Sequence, residues 1–198
     1  MTLASPDEMQ RMLYYFLFLG LFAARKVLDQ IRSKGNVRRL QEQRQVLPSG
    51  DRAFPWMMLT HVAFFVLTPL EVLLLQRKFL PALGLPMIGL FLLAMLLRWW
   101  ATSLLKEQWS SRVVVPEDLQ PVTSGPYRVL RHPNYLAVSV ELLAAGLMYS
   151  AFLSTAVVAV LNCCAIVKRI HTEEEVLFRI PAYRAAMAHK ARLIPGIY

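Results

Sequence analysis

The stretch Thr123-Ser124-Gly125-Pro126-Tyr127-Arg128-Val129-Leu130-Arg131-His132-Pro133-Asn134-Tyr135, followed after a long apolar run by Arg169-Ile170-His171-Thr172-Glu173-Glu174, decides how this chain folds. Between the two polar clusters, residues 136–167 contain no Lys, Arg or Asp and a single Glu. A straight helix of that length would run to roughly 48 Å at about 1.5 Å per residue, well beyond a hydrocarbon core of about 30 Å. One straight span does not fit, so a hairpin turning near residues 146–150 is expected. Such a hairpin returns both flanks to one face of the membrane. The clusters at 123–135 and 169–174 then form one site from distant pieces of sequence.

Outward from this segment, the composition is that of a membrane protein: of 198 residues, 56% are hydrophobic and 18% charged. Hydrocarbon leaves no water for exposed backbone groups, so apolar runs of this length are expected as helices. The expected fold is an all-α integral membrane protein of about five spans, near residues 11–28, 56–76, 80–104, 134–149 and 151–168. The acidic start, Ser5 to Glu8, lacks the basic region of a secretory signal, and the first span therefore reads as a retained anchor. Residues 33–51 read as a polar connection, punctuated by Pro48-Ser49-Gly50-Asp51, with a short amphipathic helix around 37–46. One membrane domain over residues 1–198 is expected. Within it, 1–112 holds the lipid-facing spans and a basic inner loop, and 113–198 the binding region.

The formal charge of +9 at pH 7 does not point to nucleic acid once the positions of Lys and Arg are considered. Nineteen of them fall in the first and third connections and the C-terminal region, whereas only Arg11, Arg77 and Lys78 fall on the other side. By the positive-inside rule this puts the N-terminus outside and the C-terminus in the cytoplasm, with the basic face available to anionic lipid headgroups. Cys163 and Cys164 are neighbours on an apolar helix, where their side chains diverge, and they read as small core residues. No metal site is expected.

Three ionisable groups fall at membrane depth: His61, Glu71 and Glu141. Such groups are expensive there and point to function, either as substrate contacts or as interhelical hydrogen-bonding groups.

The ordered set Thr123 to Tyr127, Arg131-His132-Pro133-Asn134-Tyr135, Arg169 with Glu173 and Glu174, Tyr183, and Arg192-Leu193-Ile194-Pro195 resembles the isoprenylcysteine carboxyl methyltransferase family, in particular its small prokaryotic type. The resemblance covers residues 113–195; the first three spans match in hydropathy alone. It implies S-adenosyl-L-methionine as methyl donor, bound on the cytosolic face, and a lipophilic acceptor arriving from the bilayer. By matching position, Leu119, Gln120, Pro121, Val122, Tyr127, His132, Pro133, Asn134, Tyr135 and Glu173 would bind the cofactor, while Arg169 would be catalytic and orient the acceptor. His61, Glu71 and Glu141 remain candidates for substrate binding.

The residue chemistry suits these tasks. A sulfonium, a zwitterion, a ribose and an adenine need carboxylates, aromatic faces and a donor for the carboxylate, and this stretch contains all three. Methyl transfer from a sulfonium is an in-line displacement that depends on alignment and desolvation more than on acid–base work. The acceptor could be the carboxylate of a prenylcysteine or the hydroxyl of a long-chain phenolic or pyrone lipid. A sterol-type membrane reductase using NADPH is the second reading, since such enzymes carry a similar Arg-His-Pro-Asn-Tyr segment. Taken singly, the arginines also read as inner-face anchors, Glu173-Glu174-Glu175 as a solvated run and the tyrosines as an interface belt.

Overall fold

A computed structural model describes residues 6–47, 50–51 and 53–196. The expectations that involved Ser5, Pro48, Ser49 and Arg52 lie outside the described residues. Six α-helices make up most of the described chain: α1 (Pro6–Gln43), α2 (Phe54–Leu74), α3 (Pro81–Leu105), α4 (Pro133–Leu147), α5 (Phe152–Leu177) and the short α6 (Pro181–Met187). The strands β1 (Val46–Leu47) and β2 (Val115–Pro116) pair antiparallel and tie the end of α1 to the loop after α3. α3 packs chiefly on α4, and α5 packs on α2 and α4.

Three stretches within the described residues are long and apolar enough to cross a membrane: Phe54–Leu74, Pro81–Gln108 and Phe152–Leu177. The other two expected spans are helices of a different kind. α4 has only 15 residues, short of the roughly 20 that a full crossing needs. α1 has 38 residues, and it does not stop at Arg25-Lys26 but continues through the segment expected as a polar connection. The separate helix expected at 37–46 is thus the end of α1. The continuation has a packing cause: the buried positions Tyr15, Leu19 and Phe22 are followed at helical spacing by Ser33, Asn36 and Leu40. One stripe faces the protein along the whole rod, apolar in its first half and carrying Ser33 and Asn36 beside Leu40 in its second. Ser33 bonds Ser111, and Asn36 donates to the Trp109 carbonyl at 2.8 Å.

The expected hairpin is present. α4 ends at Leu147 and α5 starts at Phe152, with Ser150 in the left-handed region at φ 57°. The Ala151 N–H returns to the Gly146 carbonyl at 3.1 Å, which closes the turn. Gly146 is needed for close approach, because a Cβ there would run into the Thr155 hydroxyl. Glu71 of α2 fastens the start of α5 from outside the hairpin. Its carboxylate accepts from the backbone N–H groups of Leu153 at 3.1 Å and Ser154 at 2.6 Å, and pairs with Arg77 at 2.7 Å. This is the charge that the N-terminal end of a helix favours.

Packing in the membrane half is dominated by aromatic rings, Tyr15, Phe22, Phe64 and Phe91 among them, while a second cluster around Tyr127, Leu177, Tyr183 and Met187 lies at the other end. Cys163 and Cys164, expected in the core, are exposed instead on the outer face of α5. Trp99 and Trp100 point outward, as expected of interfacial indoles.

Candidate functional site

His132 is the N-cap of α4 and Pro133 its first residue, where proline's fixed φ suits the helix and its missing N–H wastes no bond. The last two turns of α5 lie alongside. Glu174 pairs with Arg131 at 2.8 Å, with the His132 Nε2 at 3.1 Å and with Arg192 at 3.0 Å. The Arg131 and His132 N–H groups bond the carbonyls of Ala191 and Arg192, so the C-terminal segment is clamped to the entrance of α4. One residue earlier on α5, Glu173 accepts a hydrogen bond from the Tyr135 hydroxyl. The hairpin thus brings the two sequence clusters together.

Behind this pair sits Arg169, 1% exposed. Its Nε donates to the Tyr135 hydroxyl at 3.0 Å and lies 3.7 Å from Glu173, and its Nη1 lies 2.9 Å from both oxygens of Asp51. Asp51 also accepts from the backbone N–H of Phe54 at 3.2 Å and of Val113 at 3.1 Å. A single carboxylate therefore ties the start of α2, the loop after α3 and the guanidinium of α5. A fully buried arginine held in this way has its charge balanced and its orientation fixed.

In front of Tyr135 lies a cavity of about 110 Å³ between the 105–122 loop, the entrance of α4 and the end of α5. Leu119, Gln120, Pro121, Val122, Tyr127, His132, Asn134, Tyr135 and Glu173, nine of the ten residues expected to bind the cofactor, line it. The tenth, Pro133, is buried beneath as the helix start. Two buried donors on its wall, the Trp109 Nε1 and the Arg131 Nε, have no partner among the described residues. Burial, and after it the Glu173 carboxylate, pushes the Tyr127 and Tyr183 phenols above their usual range. Both therefore remain neutral, as hydrogen-bond donors and ring faces.

A second, largely apolar cavity of about 410 Å³ opens between α1, α2 and the start of α4, with Arg98 of α3 on its wall. It shares Trp109, Ser110, Asn134 and Tyr135 with the first, so the two meet at the start of α4. His61 lines it, together with Lys26, Asp29 and Arg98.

The remaining expected site residues fall elsewhere. Arg169 lines neither cavity. Glu71 stands at the opposite end of α5, engaged with that helix and Arg77. Glu141, 0% exposed, pairs with Arg25 at 2.5 Å and Lys26 at 2.9 Å, next to an Arg98–Asp29 pair at 2.6 Å. Both of these carboxylates are used within the bundle. Asp51, Trp109 and the Lys26–Asp29–Arg98 group were not singled out from the sequence. No spacing links residue 51 to residue 169; the unbroken helical phase of α1 could have pointed to residues 26 and 29.

In this helical membrane protein a largely apolar cavity thus meets a polar, aromatic one at the start of α4. Residues 87–179 match the family model of the isoprenylcysteine carboxyl methyltransferase (ICMT) family, in agreement with the resemblance carried by the motifs. The matched segment supports a methyltransferase at the membrane acting on a lipophilic substrate. The chain is also 24% identical over 163 residues to the uncharacterized protein YpbQ of Bacillus subtilis (strain 168), covering 82% of this chain and 96% of the relative.

Proposed function

We propose that the protein transfers a methyl group from S-adenosyl-L-methionine to an oxygen of a lipophilic acceptor, with the donor in the polar cavity and the acceptor in the apolar one. The observation that carries this reading is the meeting of the two cavities at Asn134 and Tyr135. The donor set suits the cofactor. Glu173 offers a carboxylate for an amino or ribose group, Tyr127, Tyr135 and Tyr183 offer ring faces, and Arg131, His132 and the Trp109 N–H stand where a carboxylate needs donors. The free Trp109 Nε1 and Arg131 Nε support a ligand rich in acceptors, because buried donors without partners are costly. The polar cavity is smaller than the roughly 300 Å³ at which ligand pockets begin, so lining chemistry rather than volume supports the fit.

When bound, the cofactor supplies an activated methyl carbon. The protein's own residues hold, orient and exclude water. Arg169 acts here as a positioning residue, fixed by Asp51 and aimed at Tyr135 and Glu173, so that the oxygen of the acceptor is aligned by the wall of the cavity. The site faces the cytoplasm, the N-terminus lies outside, and residues 1–112 and 113–198 divide the work between lipid and cofactor within one domain. A thermal-shift comparison in detergent tests the reading: S-adenosylhomocysteine stabilises the protein and NADPH does not, whereas a response to NADPH alone would establish the reductase.

A further inference from the structure

The apolar cavity contains a base that the reading above leaves unused. On α2, the His61 Nδ1 lies 2.8 Å from the Met57 carbonyl oxygen one turn earlier. A carbonyl oxygen has lone pairs only, so Nδ1 carries the hydrogen, and the neutral ring presents Nε2 as an acceptor. Among the described residues nothing bonds Nε2. The ring is half-buried and forms part of the cavity wall.

The other titratable groups on that wall are engaged. Lys26 is held by Glu141, Arg98 by Asp29 and Asn134, and Tyr135 by Glu173 and Arg169. The charges facing His61 are Lys26 and Asp29 from α1, Arg98 from α3 and Glu141 from α4. Within the described residues, the Asp29 carboxylate on this wall is ion-paired with Arg98 through one oxygen, whereas His61 presents a ring nitrogen on a side chain that is in no ion pair. The same cavity ends at Asn134 and Tyr135, where the donor site begins.

We propose that His61 is the general base for a hydroxyl acceptor, which makes the substrate a lipophilic phenol or enol. This rests on the methyltransferase reading above. Nε2 takes the proton as the O–H bond breaks, and the oxygen's electron pair forms the bond to the methyl carbon. The carbon–sulfur bond breaks with its pair left on sulfur. The sulfonium charge is replaced by that of an imidazolium, which faces the ion-paired groups Lys26 with Glu141 and Arg98 with Asp29. A carboxylate acceptor is already ionised and has no proton to lose, so His61 has a task only for a hydroxyl.

The test uses the full chain in detergent with labelled S-adenosylmethionine and two probes, pentadecylphenol and N-acetyl-S-farnesylcysteine. Wild-type protein is expected to methylate the phenol. His61→Ala should lower kcat for it about 100-fold with little change in KM, and added imidazole should restore part of the loss. His61→Gln keeps the size and polarity of the side chain without the base, and should lose as much if the alanine variant unfolds. Unchanged phenol turnover in both variants would overturn the assignment, as would a wild-type protein that methylates the farnesylcysteine and leaves the phenol. Stabilisation by S-adenosylhomocysteine without turnover of either probe would also overturn it, while leaving the cofactor reading intact. Absence of that stabilisation would remove the methyltransferase reading itself.

Discussion

The two ends of α5 both carry buried charge, and they use it differently. At the N-terminal end the Glu71 carboxylate is consumed by two backbone N–H groups and Arg77. At the C-terminal end Asp51, Arg169, Tyr135 and Glu173 form a chain whose last members look into a cavity, next to two donors that have no partner among the described residues. The same residue type thus serves as a fastener whose oxygens are taken up by a helix end, and as part of a cavity wall. The contrast shows that an ionisable group at membrane depth is informative about function only when its remaining hydrogen-bonding capacity is counted.

The contrast is broken most directly at Glu173. Glu173→Ala is expected to reduce methyl transfer by at least about 100-fold, read from labelled methyl incorporation, with little change in thermal unfolding because the side chain is one-quarter exposed. Retention of near wild-type turnover would place the chemistry elsewhere. Asp51→Asn should cost less, about tenfold to 100-fold, since it loosens Arg169 without removing a group that lines the cavity. Its loss should appear in kcat while S-adenosylhomocysteine affinity is kept.

At the N-terminal end of α5 the readout reverses. Glu71→Ala should cost about 2–4 kcal/mol of stability by leaving Arg77 and two helix-end N–H groups without their acceptor. Detergent unfolding should show this, and the folded protein should bind S-adenosylhomocysteine as before. The smallest effect is expected for Trp109→Phe, which removes one orphaned donor. Stability should hold, and cofactor affinity should weaken by about three- to tenfold, the worth of one hydrogen bond.

Much of this architecture could be read from the sequence because lipid imposes strict rules. A 32-residue apolar run too long for one crossing had to turn, and the small Gly146 falls at the start of the turn. The residues expected around the cofactor were likewise close in sequence to the two helix ends that the hairpin unites. The polar continuation of α1 was hidden because its buried stripe changes from aromatic rings to Ser33 and Asn36, which sequence alone reads as solvent-facing. Asp51 was hidden for a different reason. It sits in a turn whose residues signal only a change of direction, and its partner is 118 positions away. Glu71 and Glu141 offered the same sequence signal as a functional carboxylate; only their completed pairings separate them from one.

The unbroken length of α1 has a mechanical consequence. Its 38 residues make a rod of about 57 Å, nearly twice the thickness of the hydrocarbon layer. The same rod is anchored among aromatic rings in the lipid and, through Asn36, to the backbone of Trp109 at the roof of the polar cavity. No loop interrupts the rod between these two anchor points, so the aromatic packing at one end and the cavity wall at the other are held in register by a single helix.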